Sequence, residues 1–338
     1  MKHTLQLIFF FFACSIITAQ TVGGNAAFSF SSLPNAAQVS AIGGVNVSNI
    51  SNDVSYSFNN PALLRKEQHL QTNASFNNFL AGIKNYSLTT AFYAQKPAIT
   101  LGFGVNYLSY GSITQTDAIG NIYGTFSPTD YVAQAMISKQ YKERFWLGAS
   151  LKYISSSYGQ YKSSAIATDI GVTYFDSSNF LQISLLAKNI GTQLRNYTNA
   201  KEELPFDIQL GITKRLAKAP IQFSLTGHHL QQLVISYNDT AFNTSESNTQ
   251  QAKTIDNILS HLVFASQIFI GDKLELGVGY NFLRAKDLSA YGVTNSLNGF
   301  SMGVGIKLKK LQINYGTGFY QRNLFHQIGI NFNWKGEL

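Results

Sequence analysis

Ile99-Thr100-Leu101-Gly102-Phe103-Gly104-Val105-Asn106-Tyr107 is the stretch on which the fold turns. Ile99, Leu101, Phe103, Val105 and Tyr107 fall on one side of an extended chain, and Thr100, Gly102, Gly104 and Asn106 on the other. A period of two with one apolar row reads as a strand half-buried in something greasy. The same alternation recurs at Leu274, Leu276, Val278, Tyr280 and Phe282, at Phe300 to Leu308, and at Ile328, Ile330, Phe332 and Trp334. Fourteen such segments are predicted, at 70–79, 86–95, 99–110, 131–140, 145–157, 164–175, 180–189, 206–216, 220–230, 260–269, 274–283, 299–308, 311–319 and 325–334. Most are close to ten residues, which suits a tilted strand crossing a bilayer (about 9–11 residues) better than a strand of a soluble sheet.

The connections sort by parity. The long ones, 111–130, 190–205, 231–259 and 284–298, are all odd-numbered; the short ones, 96–98, 141–144, 176–179, 217–219, 271–273 and 309–310, are all even. The odd connections 80–85, 158–163 and 320–324 are of middling length. Alternate connections of an up-and-down barrel lie at opposite ends, and outer-membrane barrels keep short periplasmic turns and longer outer loops. The reading is therefore an all-β, transmembrane antiparallel β-barrel of about 14 strands over 70–338, integral to a bacterial outer membrane, with both termini periplasmic and the long loops extracellular.

Composition agrees. Of 338 residues, 45% are hydrophobic, 13% aromatic and only 12% charged. So many aromatics exclude a disordered chain, and a single cysteine excludes a disulfide scaffold. No apolar run after residue 19 is long enough for a spanning helix. Residues 1–19 read as a signal peptide, with Lys2 and the apolar run Leu5 to Phe12, cleaved after Ala19. A short membrane anchor and lipidation of Cys14 are the competing readings. The net charge of +8 gathers beside the short turns (Lys139, Lys142, Arg144, Lys214, Arg215, Lys218, Lys273, Lys307, Lys309, Lys310), where snorkelling at the bilayer surface explains it. Nucleic-acid binding is not expected, because the aromatics lie on the lipid row.

Residues 20–69 break the strand pattern and read as a hatch or plug in the lumen. Phe28, Phe30, Leu33, Val39, Ile42 and Phe58 argue against a solvated tail. The inward pairs Gly102/Gly104, Gly277/Gly279 and Gly303/Gly305 read as room inside the barrel, not as phosphate loops. Chemistry is sparse. His228 and His229 are neighbours on segment 220–230, so a strand would point them to opposite faces and keep them from sharing a metal. His326 falls on the lipid row. Glu202, Glu203 and Asp207 read as solvated beside a loop. His228 with Ser224 or Ser236 is conceivable as a hydrolytic pair, but nothing in the sequence joins them. No catalytic residue, cofactor or metal is assigned.

The segment Gly23-Gly24, Leu33-Pro34, Ala41-Ile42-Gly43-Gly44, Asn52-Asp53 and Asn60-Pro61-Ala62-Leu63-Leu64 resembles the start of the PorQ family, with further likeness at His261-Leu262-Val263-Phe264 and Gly279-Tyr280-Asn281. These are outer-membrane components of the type IX secretion system of Bacteroidetes-type bacteria. The Asn-Pro-Ala turn is shared with PorV proteins and FadL-type fatty-acid channels, a group with a fourteen-stranded barrel and an N-terminal hatch. One departure is that Lys335-Gly336-Glu337-Leu338 follows Trp334, where many barrels end on the aromatic. The resemblance implies a hatch motif at Gly43, Gly44, Asp53, Asn60 and Pro61. It also implies a non-enzymatic anchor that holds a PorZ-like surface protein, with PorU- and PorV-like members of the complex attaching cargo to lipopolysaccharide. Loops 190–205, 231–259 and 284–298 are the expected partner surface, with Arg195, Tyr197, Tyr237, Asp239, Phe242 and Tyr291 as candidate contacts. The alternatives are a FadL-like channel for a hydrophobic solute and a membrane enzyme acting on lipid.

Overall fold

The computed structural model describes residues 26–232, 235, 254–288, 296–321 and 323–336. The expected leader and Cys14 lie outside them, as do Gly23, Gly24, Ser236, Tyr237, Asp239, Phe242 and Tyr291.

Fourteen strands close into one antiparallel barrel: β1 (Gln71–Asn78), β2 (Lys84–Ala94), β3 (Ile99–Ser109), β6 (Thr129–Tyr141), β7 (Phe145–Tyr158), β8 (Tyr161–Asp176), β9 (Leu181–Arg195), β10 (Asp207–Arg215), β11 (Ile221–Gly227), β12 (Leu262–Ile270), β13 (Leu274–Asn281), β14 (Phe300–Lys307), β15 (Leu311–Tyr320) and β16 (Asn323–Asn333). The seam pairs β1 with β16, from Gln71 opposite Asn333 to Asn78 opposite His326. Closure leaves no edge strand, so every ladder donor and acceptor can be met inside the sheet, a requirement for backbone in hydrocarbon. A two-stranded hairpin, β4 (Ile113–Thr116) with β5 (Ile122–Phe126), stands in the connection between β3 and β6.

The alternation written in the sequence sets the two faces of this wall. Along β3, Thr100, Gly102, Gly104 and Asn106 are buried in the lumen, while Phe103 (51% exposed), Val105 and Tyr107 stand on the outside. Every barrel strand repeats the arrangement in part, so Asn, Gln, Ser and Thr make up most of the buried wall and Leu, Ile, Phe and Tyr its exterior. In water that surface would be an unsustainable apolar patch; against lipid it is the favoured one. Phe76, Tyr86, Tyr107 and Tyr131 sit directly opposite one another across β1, β2, β3 and β6, and Phe264, Tyr280 and Phe300 do so across β12, β13 and β14. Both rows lie toward the same end of the barrel, as an interfacial aromatic girdle does.

At one end the turns are short: 95–98, 142–144, 177–180, 216–220, 271–273 and 308–310. At the other lie 110–128, 196–206, 228–261 and 282–299, together with 79–83. Two connections at this long-loop end, 159–160 and 321–322, are tighter than expected, because β7, β8, β15 and β16 run on until only two residues remain between them.

The lumen is filled by residues 26–70. They form a short helix (Ala37–Ala41) and 3-10 turns at Ser29–Ser32, Val54–Phe58, Pro61–Leu63 and Lys66–Gln68. Most of the inward glycines are where this hatch touches the wall, Gly305 excepted. A Cβ at Gly148 would strike the backbone of Pro61 and Ala62, one at Gly279 the backbone of Ile42 and Gly43, and one at Gly316 the carbonyl of Ala37. Without a side chain the wall accepts hatch backbone at van der Waals distance. The apolar cores of the molecule are therefore hatch-on-wall: Ala36, Val39, Ile42, Tyr56 and Leu63 with Ala265, and Val54 and Leu64 with Ala91 and Met136.

Candidate functional site

The hatch motif residues act as clamps. Gly43 and Gly44 have φ of 98° and 84°, a left-handed pair that reverses the chain after the Ala37–Ala41 helix. The Gly43 N–H donates to Ser301 Oγ at 2.8 Å, and Asn281 Nδ2 donates to the Gly43 carbonyl at 3.1 Å. Asp53 caps the Val54–Phe58 turn by accepting the Ser55 N–H at 2.8 Å. It also accepts from Asn314 of β15 at 3.1 Å and from Asn73 of β1 at 3.4 Å. Burial holds its carboxyl above the ordinary range, against the lowering effect of these donors. Asn60 donates to the Val47 carbonyl at 2.8 Å and accepts the Ala62 N–H at 3.0 Å, with Pro61 opening the turn where its missing N–H costs nothing.

At the short-turn end the hatch is held by Arg65. Its guanidinium lies 4.6 Å from the ring centroids of both Trp146 and Phe175 and donates to Gln182. Burial pushes the Arg65 guanidinium down to about 10.

At the long-loop end the glycine reversal leaves a cavity of about 380 Å³ between hatch and wall. Its lining has two characters. Leu33, Pro34, Val45, Leu283, Leu288 and Tyr320 are apolar or aromatic; Lys188, Asp207, Gln209, His228, His229, Arg284 and Asp287 are polar or charged. Asn281 ends β13 and caps the Phe282–Asp287 helix through the Arg284 N–H at 3.0 Å. This helix delivers Arg284 to the cavity, where its Nη2 donates to the Gly299 carbonyl at 2.8 Å. Burial lowers the Arg284 guanidinium and raises the Asp287 carboxyl.

The histidines differ from the expectation. β11 ends at Gly227, so His228 and His229 are not consecutive strand residues, and His229 takes a left-handed φ of 54°. The two rings meet edge to face at 4.8 Å. Asp207 joins them. It is the first residue of β10, opposite Lys188 of β9, and it is buried rather than solvated. Its Oδ1 accepts the His229 backbone N–H at 2.6 Å, and its Oδ2 accepts from Gln209 Nε2 at 2.6 Å. His228 is 3% exposed, and its Nε2 has no hydrogen-bond partner among the described residues. Burial, then the neighbouring His229 and His261, pushes the His228 imidazole down to about 3, so the ring is neutral. Ser224, the serine considered beside His228, accepts a hydrogen bond from Thr213 at 3.0 Å. Glu202 and Glu203 are exposed, and His326 stands on the outer face bonded to the Tyr315 hydroxyl at 2.7 Å.

Of the expected partner contacts, Arg195 is exposed at the end of β9. Tyr197 is folded back, with its ring 6.2 Å from Phe28 of the hatch and 5.9 Å from Tyr158, so it is not a free loop side chain. Burial raises the Tyr197 hydroxyl to about 12. The sequence reading missed the β4–β5 hairpin, where Ile119, Ile122 and Tyr123 are 86%, 72% and 66% exposed. Two β-branched runs around Asp117-Ala118-Ile119-Gly120-Asn121 were the available signal.

A closed fourteen-strand barrel with an apolar exterior and a polar, hatch-filled lumen defines the outer-membrane class of β-barrel. No protein-family model matches the sequence, and no curated protein does. Among solved structures, the chain is similar to the CymD monoaromatic hydrocarbon channel at a TM-score of 0.51 and 12% identity, covering 90% of this chain and 97% of that one. A TodX monoaromatic hydrocarbon channel deltaS2 mutant matches at 0.49 and 12%, covering 88% and 97%. A Pseudomonas aeruginosa FadL homologue matches at 0.49 and 9%, covering 88% and 98%. At these identities the likeness to CymD establishes the fold alone.

Proposed function

We propose that this chain is a plugged outer-membrane barrel that serves as an anchor and docking platform, the role implied by its resemblance to the PorQ family of type IX secretion. On this reading the long-loop end faces the outside and the short turns and both termini face the periplasm. The observation that carries the proposal is the exposed apolar tip of the β4–β5 hairpin, set beside a lumen occupied by a hatch keyed to wall glycines. Ile119, Ile122 and Tyr123 in water call for a protein surface to cover them, and loops on a rigid scaffold commonly carry recognition. The partner is a PorZ-like surface protein, with PorU- and PorV-like members of the attachment complex beyond it.

The test replaces residues 113–126 with a short Gly-Ser turn and measures binding of a purified PorZ-like protein to the barrel in nanodiscs. Loss of binding with an intact barrel is the expected result; unchanged binding removes the hairpin from the interface.

A second reading, a conduit for a hydrophobic solute, is favoured by the fold likeness to hydrocarbon channels and by the mixed apolar and charged lining of the 380 Å³ cavity. Such a lining suits an amphiphile with one polar end. Uptake of a labelled fatty acid or aromatic hydrocarbon into liposomes containing the barrel, reduced by Arg284→Ala, would establish the conduit in place of the anchor.

A further inference from the structure

We propose that Asp207, His228 and His229 form a binding site for one divalent transition-metal ion of the zinc class, with an open coordination position facing the luminal cavity. This goes beyond the anchor and conduit readings and rests on neither.

One ligand atom from each of the three residues lies within 4.8 Å of the others. Two imidazoles and one carboxylate are a donor set that suits zinc and its neighbours, and three protein ligands with a fourth position open is the pattern of zinc sites that also hold water or a solute. Ligand atoms about 2.0–2.1 Å from a tetrahedral ion stand about 3.4 Å apart. His229 Nδ1 and Asp207 Oδ1 are already at 3.7 Å, so the carboxylate–His229 edge needs little adjustment. The His228 ligand atom, within 4.8 Å of the other two, closes by at most about 1.4 Å to complete the set. The His228 ring borders the cavity and its Nε2 makes no hydrogen bond among the described residues, so the contact that shifts with it is the edge-to-face packing on His229.

That unpaired nitrogen is the second observation pointing to a ligand. A ring 3% exposed with a bare nitrogen forfeits a hydrogen bond it had in water, and a metal or a ligand on it removes the deficit. Asp207 is meanwhile held by Gln209 Nε2 at 2.6 Å and the His229 N–H at 2.6 Å, which leaves a carboxylate free to accept a further bond. Hydrogen-bonded support of this kind orients metal ligands. The charged surroundings are mixed. Lys188 faces Asp207 across the β9–β10 ladder, and Arg284 and Asp287 border the same cavity, Asp287 in electrostatic contact with His229. His261 binds the His228 carbonyl through Nδ1 at 2.8 Å and is turned to backbone duty. The two cations weaken metal binding relative to a site without positive neighbours, and they favour an anionic fourth ligand.

The experiment uses the untagged full chain, refolded in detergent and stripped with a chelator. Cobalt(II) is titrated while the visible d–d absorption is recorded, and zinc is then added as competitor. The expected result is one equivalent of cobalt with the intense bands of a tetrahedral site, displaced by zinc. His229→Ala abolishes the bands, Gln209→Ala weakens binding by about tenfold or more, and His326→Ala leaves it unchanged. Heat-modified mobility in gels checks that each variant is a folded barrel, and the partly exposed His229 is the variant that tests the site if His228→Ala fails to fold. Absence of a stoichiometric tetrahedral signal in the parent chain overturns the site, as does a signal that survives His229→Ala.

Discussion

At the short-turn end the hatch is gripped: Arg65 lies between Trp146 and Phe175, and the Pro61–Ala62 backbone presses on Gly148 with no room for a methyl group. At the long-loop end the same hatch turns away at Gly43 and Gly44, leaving a cavity whose walls carry two lysine and arginine charges, two carboxylates and a pair of histidines. Each end keeps a few buried polar atoms without a hydrogen-bond partner among the described residues, Arg65 Nε and Ser138 Oγ at the short turns and His228 Nε2 and Arg284 Nε at the long loops. The difference lies in which groups converge: among the described residues the long-loop cavity alone brings imidazoles, carboxylates and cations together, and that mixture is where to look for activity in a barrel whose middle is packed.

The contrast can be broken most severely at Gly148. Gly148→Val sets a branched side chain into the Pro61–Ala62 backbone and is expected to destabilise the docked hatch by about 3 kcal/mol or more, the upper range for overpacking. Limited proteolysis should then cut within residues 50–65 while the barrel keeps its heat-modified mobility; a protease-resistant hatch would show that the wall yields there. Arg65→Ala comes next. It removes both ring contacts and the bond to Gln182, at a cost of about 2 kcal/mol for a desolvated cation–π site, and hydrogen exchange should rise at Leu63–Gln68 and leave the amides around Gly43 unchanged.

A smaller, graded effect follows from Asp53. Burial raises its carboxyl, so the docked hatch binds that proton more tightly than an undocked one. The contribution is complete below the ordinary value of 3.8 and is lost as pH rises through the raised value. Exchange protection of Val54–Phe58, corrected for intrinsic rates, should therefore fall on going from about pH 4 to about pH 7, and Asp53→Asn should flatten the trend. Smallest of all is the effect of Ile122→Glu on the barrel itself. The side chain is 72% exposed, so stability should move by no more than about 0.5 kcal/mol in a denaturation series, while on the proposed anchor role binding of a surface partner is lost.

The strands were legible because lipid and lumen impose opposite chemistries on alternate residues. β3 is expected at 99–110 and found at Ile99–Ser109, and β14 is expected at 299–308 and found at Phe300–Lys307. The cavity was much less legible. Asp207 follows Pro205 and two exposed glutamates, so it reads as solvated, and only the ladder to Lys188 shows it to be interior. His228 and His229 read as opposed because period-two logic applies only while the strand lasts, and the end at Gly227 depends on the neighbouring loop, not on local pattern. Tyr197 sits on a loop in the sequence but finds Phe28, some 170 residues away along the chain, a pairing that no local signal encodes.

The strand lengths carry one more consequence. β7, β8 and β9 have 14, 16 and 15 residues, against 7 for β11 and 8 each for β13 and β14. Because their lower ends are tied by the short turns, the excess stands at the other end, and at about 3.3 Å per residue it amounts to some 20 Å of added chain before tilt. The cylinder is thus cut obliquely, like a quill. Among the described strands, the wall of β7, β8 and β9 rises past the level of β11, β13 and β14, at whose ends His228 and Arg284 stand.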